Sequence, residues 1–141
     1  MSENREKLRR RLEQWDPKGE VEAFRQGRPV GDMSLIDPAV VFEDTDLPDH
    51  AGETYHGYAG IARATEQWVE AFESVDIELE RIEGSGDRLV SIHRLRMKAR
   101  HTGIEFESGL AYIWTFREGR VVHIQGFLDP AEALEAAGLS D

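Results

Sequence analysis

The residue in this sequence best suited to chemistry is His93, which stands in the middle of the alternating stretch "LVSIHRLRMKA" (89–99). Successive side chains of a strand point to opposite faces, so His93 shares one face with Ser91, Leu95 and Met97. The other face carries Arg94, Arg96 and Lys98 and is expected to meet solvent. An imidazole on a covered face can serve as a general acid or base, or it can fill space as a hydrogen-bonded core residue.

The next strand supplies a partner for His93. If Thr102 and Gly103 form a two-residue hairpin turn in "ARHTGIEF" (99–106), His93 faces Tyr112, which could donate a hydrogen bond to a ligand oxygen. The same register pairs opposite charges on the wet face and apolar side chains on the covered face. Its other pairs are Arg100–Glu105, Lys98–Glu107, Ala99–Phe106, Met97–Ser108 and Leu95–Leu110.

The elements that must position these residues follow from periodicity and turn signals. Helical spacing predicts a first helix from Ser2 to about Trp15 and a second from about Ile61 to Glu73. "AVVFE" (39–43) predicts a short strand, a run of hairpin strands follows residue 74, and "PAEALEAAGL" (130–139) predicts a closing helix. Helices followed by antiparallel hairpins indicate one α+β domain over residues 1–141, with helices on one face of a curved sheet.

The amino-acid composition excludes or disfavours several classes of partner and of functional site. The 141 residues carry 28 acidic and 17 basic side chains, a formal net charge of −11, which disfavours nucleic-acid and anionic-membrane partners. The absence of cysteine excludes disulfides, thiol nucleophiles and thiolate metal sites. The N-terminal stretch lacks the apolar core of a signal peptide, and we therefore expect a cytoplasmic protein.

Metal binding is not expected. The acidic stretch "FEDTDLPDH" (42–50) lacks the ligand spacing of a calcium loop and is interpreted as a solvated loop at the rim of a pocket. The five histidines form no zinc-binding motif.

Five motifs, in order along nearly the whole chain, resemble the nuclear-transport-factor-2-like superfamily and its SnoaL-like, polyketide-cyclase-like branch. They are "MSENREKLRRRLEQWDPKGEVEAF", "LIDPAVVFED", "YHGYAGI", "IWTFREGRVVHIQGF" and "ALEAAGL", with an extra loop near residues 25–32. The resemblance implies a cystatin-like α+β cone, in which a strongly curved, mostly antiparallel sheet wraps around helices and encloses a pocket. It also implies a homodimer. Because this fold serves enzymes and plain binding modules, it does not give the function.

Two enzyme groups of the superfamily suggest site residues. The first helix of scytalone dehydratases ends in an aspartate that orients a catalytic histidine, and "WDPK" (15–18) with "HRLR" (93–96) places Asp16 and His93 there. A carboxylate that accepts the ring N–H would fix the tautomer of His93 and raise its basicity. At the positions of the ketosteroid isomerase machinery stand Leu12 instead of the tyrosine, Glu43 for the base and Tyr112 for the acid. The Arg-x-Asp motif of limonene-epoxide hydrolases is absent.

Together these observations predict a pocket for a small hydrophobic molecule, and no organic cofactor. The catalytic candidates are His93, Asp16, Tyr112 and Glu43. The predicted ligand-binding residues are Trp15, Trp68, Phe72, Leu95, Met97, Leu110, Trp114 and Ile124. The protein would be a lyase or isomerase that acts on a hydroxyl- or carbonyl-bearing ligand. The alternatives are a non-catalytic binding domain and a dimeric interaction module. An apolar outer patch is predicted to hold a homodimer together; it consists of Ala111, Ile113, Val121 and Phe127.

Overall fold

The computed structural model describes residues 2–16, 19, 22–23, 26, 35–44 and 53–139. Most of the loop at 25–32 and of the acidic loop after Glu43 lies outside these residues, so the predictions about both loops stay predictions. The helices are α1 (Ser2–Glu13), α2 (Gly57–Ala71) and α3 (Pro130–Ala136). The strands are β1 (Ile36–Asp44), β2 (Glu53–His56), β3 (Phe72–Ser85), β4 (Arg88–Ala99), β5 (Glu105–Arg117) and β6 (Arg120–Phe127).

The six strands form one curved sheet in the order β2-β1-β6-β5-β4-β3. All neighbouring pairs are antiparallel except β1 and β6, which run parallel. We call the face that carries His93 the inner face; the main core lies there, where Leu8 and Leu12 of α1 and Ala64 of α2 pack against the strands. The predicted α+β cone with a curved, mostly antiparallel sheet is therefore confirmed, while the enclosed pocket stays a prediction. Among the described residues, no helix has both the length and the apolar character needed to cross a membrane.

The predicted register of the β4–β5 hairpin is wrong by two residues. His93 pairs with Leu110, and Tyr112 pairs with Ser91. The turn contains four residues rather than two: the Ala99 N–H donates to the Ile104 carbonyl, and the Gly103 N–H donates to the Ala99 carbonyl, both at 2.9 Å. Gly103 takes a φ of 70° at the last turn position, which glycine adopts without steric cost.

The longer turn releases Arg100 from the strand, where Glu105 had been its predicted partner. Its guanidinium instead donates to the carbonyls of Val69 and Glu70 at 3.1 Å and of Phe72 at 3.2 Å. The first two carbonyls lie in the last turn of α2, where a helix leaves backbone acceptors unsatisfied and favours a positive charge, and the third directly follows the helix. Arg100 therefore joins the hairpin tip to α2.

The outer face of the sheet has a charged half and an apolar half. Arg94, Arg96 and Lys98 point outward as predicted, and Arg96 forms an ion pair of 2.7 Å with Glu107. Looser ion pairs join Arg94 to Glu80 at 3.9 Å and Lys98 to Glu73 at 3.5 Å. The charged half is thus a solvated, ion-paired surface.

The apolar half is not the exposed patch that the sequence predicted. Ala111, Ile113 and Phe127 are buried together with Val90 and Ile92 in a second cluster, which α3 covers with Ala133. Val121 belongs to the core on the inner face. The closing helix of the same chain therefore occupies the surface on which the prediction of a homodimer rested.

Gly109 lets α3 reach the sheet. A Cβ atom at Gly109 would lie 2.8 Å from the Cδ and 2.9 Å from the Cγ of Pro130, the first residue of α3. Such separations are well inside van der Waals contact, so a larger residue would force α3 away from β5.

Candidate functional site

A buried polar cluster of three side chains crosses the inner face of β4 and β5. The Nε2 atom of His93 lies 2.8 Å from the Oγ atom of Ser91, and the indole N–H of Trp114 donates to the same Oγ at 2.8 Å. His93 is only 1% exposed, and Ser91 is fully buried. Because Ser91 and His93 are two residues apart on one strand, the alternation of the strand places them side by side on the inner face.

Burial lowers the pKa of His93 from its ordinary value of 6.5 to about 4. Desolvation penalises the charged imidazolium, so His93 is neutral at physiological pH. A neutral imidazole carries one N–H donor and one acceptor nitrogen, and their assignment depends on its neighbours.

Tyr112 lies at the centre of a shell of aromatic rings around this cluster. Its ring centroid lies 5.8 Å from that of His93, 5.8 Å from Trp15, 5.8 Å from Trp114 and 6.1 Å from Phe42. Trp15 also meets His93 edge to face, with centroids 6.0 Å apart. Although Tyr112 is not directly opposite His93, it is the diagonal neighbour on the same face, within reach of an aromatic ring.

The apolar residues predicted to line the site separate into two groups. Leu110 lies directly opposite His93 in the register, Leu95 and Met97 continue the inner face of β4, and Ile124 pairs with Trp114; all four are buried. Phe72 is remote, because it pairs with Ala99, about 20 Å along β4 from His93. Its ring meets that of Phe106 edge to face, with the centroids 5.8 Å apart. The side chain of Trp68 lies outside what the structure describes.

Asp16 and His93 are not joined. Asp16 is exposed, and among the described residues no hydrogen bond connects its carboxylate to the imidazole. The carboxylate lies instead against the backbone of Gly19, where an added Cβ would be 2.5 Å from Oδ2. The Nε2 position of His93 is taken by Ser91.

Glu43 lies on the opposite side of the sheet from His93. Phe42 points to the inner core, and the neighbouring Glu43 points outward, where its carboxylate lies 3.4 Å from the Nε2 of His123 and 3.5 Å from the Nε2 of Gln125. The structure therefore does not bring Glu43 into the cluster of Ser91, His93 and Trp114. Within the described part of the chain, no group of three or more His, Cys, Asp or Glu side chains is arranged to hold a metal ion.

Ser91 and Phe42 belong to this site, although neither is among the site residues predicted from the sequence. Ser91 had a usable signal, because a serine on the covered face two residues before a histidine is a ready hydrogen-bond partner. Phe42 had no comparable signal, since its contact with Tyr112 depends on the parallel pairing of β1 with β6.

Trp15 is the part of the shell that faces solvent. It is half-buried and follows the C-terminal end of α1, whereas Phe42, Tyr112 and Trp114 are all buried. His93 itself is only 1% exposed, so almost none of its surface meets solvent.

Comparisons with known proteins agree with this fold. A crystal structure of an NTF2-like protein of unknown function from Burkholderia pseudomallei is 23% identical with a TM-score of 0.68, covering 96% of this chain and 97% of that one. A protein from a Jannaschia species, named a putative SnoaL-like polyketide cyclase, is 18% identical with a TM-score of 0.68, covering 99% of this chain and 94% of that one. TerC, co-crystallised with polyporic acid, is 19% identical with a TM-score of 0.61, covering 84% and 92%. At these identities the similarity shows the fold alone.

Comparison with curated protein sequences finds no significant match. The SnoaL-like domain family matches residues 19–124, which is most of the chain and includes β1 to β5 with His93 and its partners. The chain belongs to the SnoaL-like domain family.

Proposed function

We propose that this protein binds a small hydrophobic molecule within the aromatic shell, with His93 as the polar contact that orients it. The observation that carries the proposal is the state of the imidazole: Nε2 is hydrogen-bonded to Ser91, and Nδ1 has no hydrogen-bond partner among the described residues. A buried polar group without a partner costs free energy, about 1–3 kcal/mol. A ligand atom that bonds to Nδ1 would recover that cost.

The surroundings of His93 suit such a ligand. Aromatic rings and aliphatic side chains supply the apolar surface from which binding sites for small molecules are usually built, with few polar groups that fix orientation. The co-crystallisation of TerC, a protein of similar fold, with polyporic acid is in keeping with the binding of a small molecule.

The surroundings of His93 support ligand binding better than a catalytic role of His93 as a general base. A carboxylate that raised the basicity of His93 would have to lie against its ring, and Asp16 is exposed without a hydrogen bond to it. With its pKa lowered to about 4, His93 is a weak base at neutral pH. Neither Asp16 nor Glu43 is therefore part of the function that we propose.

A binding experiment that compares the wild type with a variant lacking His93 tests the proposal. The probes are quinoline and polyporic acid, and the signal is the fluorescence of the protein's tryptophans, two of which, Trp15 and Trp114, belong to the shell. We expect saturable quenching in the wild type and an affinity about tenfold lower in His93→Phe, which keeps an aromatic ring but loses the hydrogen bond.

His123→Phe is the matched control, because His123 lies on the outer face beside Glu43 and takes no part in the shell. It should bind both probes as the wild type does. Failure of both probes to bind, or equal affinities in the wild type and in His93→Phe, would show that His93 does not anchor a ligand.

The homodimer and the cytoplasmic location remain predictions. Because α3 covers the apolar half of the outer face, a dimer would have to use another surface. Light scattering at micromolar concentration tests it, since a monomer has a mass of 16.0 kDa.

A further inference from the structure

We infer that neutral His93 keeps its proton on Nδ1, so that the site offers a hydrogen-bond donor and selects ligands that bring an acceptor, such as a carbonyl oxygen or an aromatic nitrogen. This inference rests on the proposed function for the ligand, but its statement about the proton of His93 stands on the structure alone.

The hydrogen bonds around Ser91 decide which ring nitrogen of His93 carries the proton. The indole N–H of Trp114 can only donate, so the bond of 2.8 Å between Trp114 and Ser91 occupies a lone pair of Oγ. The hydroxyl of Ser91 has one proton, and the only acceptor in contact with it among the described side chains is Nε2 of His93, at 2.8 Å. Donation from Ser91 to Nε2 leaves the ring proton on Nδ1.

With the proton on Nε2 instead of Nδ1, fewer of the buried polar groups have a hydrogen-bond partner. If Nε2 carried the proton, it would donate to Ser91 Oγ, which would then accept two hydrogen bonds and still have to place its own proton. Within the described part of the chain, no further acceptor lies within hydrogen-bond distance of that hydroxyl. Ser91 is fully buried, so bulk water does not reach its hydroxyl. This tautomer would leave two buried groups without partners, the Ser91 O–H and Nδ1, whereas a proton on Nδ1 leaves only that N–H without one.

The protonated imidazolium is also excluded at neutral pH. Burial lowers the pKa of His93 to about 4, and both ring nitrogens carry protons only below that value. The site therefore presents one imidazole N–H group, at Nδ1 of a ring that meets Trp15 and Tyr112 edge to face. A ligand whose polar group is only a donor gains nothing from this contact, because it would set one N–H against another.

The tautomer can be measured without any ligand. Long-range nitrogen–proton correlation spectra of the nitrogen-15-labelled protein at pH 7 distinguish a protonated ring nitrogen from an unprotonated one, and His93→Phe assigns the signals. We expect a protonated Nδ1 and an unprotonated Nε2 in the wild type. Ser91→Ala should weaken this preference, and Ser91→Thr, which retains a hydroxyl, should restore it. A protonated Nε2 in the wild type at pH 7 would overturn the inference.

Ligand selectivity is tested with two pairs of matched bicyclic probes. Quinoline differs from naphthalene by a ring nitrogen that accepts a hydrogen bond, and indole differs from indene by an N–H that donates one. The wild type should bind quinoline about tenfold more tightly than naphthalene, and indole no more tightly than indene. In His93→Phe the advantage of quinoline should disappear.

The outcomes separate the inference from the proposed function. A preference for indole over indene that depends on His93 would overturn acceptor selectivity and leave the binding function standing. Failure of all four probes and polyporic acid to bind would overturn the binding function and acceptor selectivity together, while the spectra would still decide the tautomer.

Discussion

The Oγ atom of Ser91 lies 2.8 Å from the Nε2 atom of His93, two residues further along the same strand. Because Trp114 of β5 donates to the same oxygen, one hydroxyl joins two strands and fixes the ring of His93. This serine takes the structural place that the sequence analysis gave to Asp16. The imidazole is therefore held by a neutral partner within the sheet, rather than by a carboxylate at the end of the first helix.

Ser91→Ala should destabilise the protein strongly for so small a change. It leaves the indole N–H of Trp114 and the Nε2 of His93 buried without partners, at about 1–3 kcal/mol for each group. Urea denaturation monitored by circular dichroism measures the loss, and Ser91→Thr should recover most of it. In a Trp114→Phe background the alanine substitution should cost less, because one of the two orphaned groups is gone. Equal costs in both backgrounds would show that the bond from Trp114 contributes nothing.

The buried histidine should also make stability depend on pH. Its pKa falls from 6.5 in the unfolded chain to about 4 in the folded protein, so between these values the unfolded state binds more protons. The free energy of unfolding should therefore fall as the pH is lowered from about 6.5 to 4, by about 3 kcal/mol from this group alone. His93→Gln removes the titrating group and keeps a polar side chain. The wild type should lose more stability than His93→Gln over this interval, and parallel curves would argue against burial of a neutral imidazole.

The general architecture could be predicted because it depends on local patterns. Alternation along residues 89–99 assigned His93 to the covered face and Arg94, Arg96 and Lys98 to the solvated one, and the structure agrees. The hairpin register could not be obtained in this way. A two-residue turn and a four-residue turn can both end at Gly103, and the pattern of the sequence does not distinguish them. The contact that accompanies the longer turn, between Arg100 and the end of α2, joins elements about 30 residues apart in the chain.

The candidate site was only partly predictable for a similar reason. His93, Trp15 and Tyr112 do lie together, but the identity of the group that bonds to the imidazole depends on rotamers and on the exact register. The predicted outer patch failed because α3 buries little of its own surface: Ala133 is its one buried residue among those described. Because the helix has so few apolar residues to bury, its sequence did not indicate that it would cover Val90, Ile92 and Ile113.

Gly109→Ala should loosen α3. The new methyl group would meet the ring of Pro130 at 2.8 Å, and overpacking of this kind costs about 1–3 kcal/mol. Denaturant unfolding measures the loss, and binding of a hydrophobic dye reports whether the apolar half of the outer face becomes exposed. In a Pro130→Ala background the ring is absent, so the same substitution should cost clearly less. An equal cost in that background would mean that the effect is not a clash with Pro130.

Arg100→Ala should cost more stability than Arg96→Ala, although both side chains are exposed. Arg100 satisfies three carbonyls at the end of α2, whereas Arg96 makes a surface ion pair with Glu107. We expect a loss of about 1–2 kcal/mol for Arg100 and less than about 1 kcal/mol for Arg96. The loss at Arg100 should also resist salt better, because its acceptors are neutral carbonyls. A smaller loss at Arg100 than at Arg96 would contradict the bridging role.

Asp16→Asn decides between a carboxylate-assisted histidine and the hydrogen-bonded cluster described above. Asp16 is exposed and makes no hydrogen bond to His93, so its neutralisation should leave the pKa of His93 at about 4 and the affinity for quinoline unchanged within about twofold. The pKa is measured by a nuclear magnetic resonance titration of the ring, with His93→Phe to assign the signal. In a dyad the carboxylate stabilises the imidazolium, so Asp16→Asn would lower the pKa of His93 further. A drop of that kind, accompanied by weaker binding of quinoline, would restore Asp16 to the site and with it the general base.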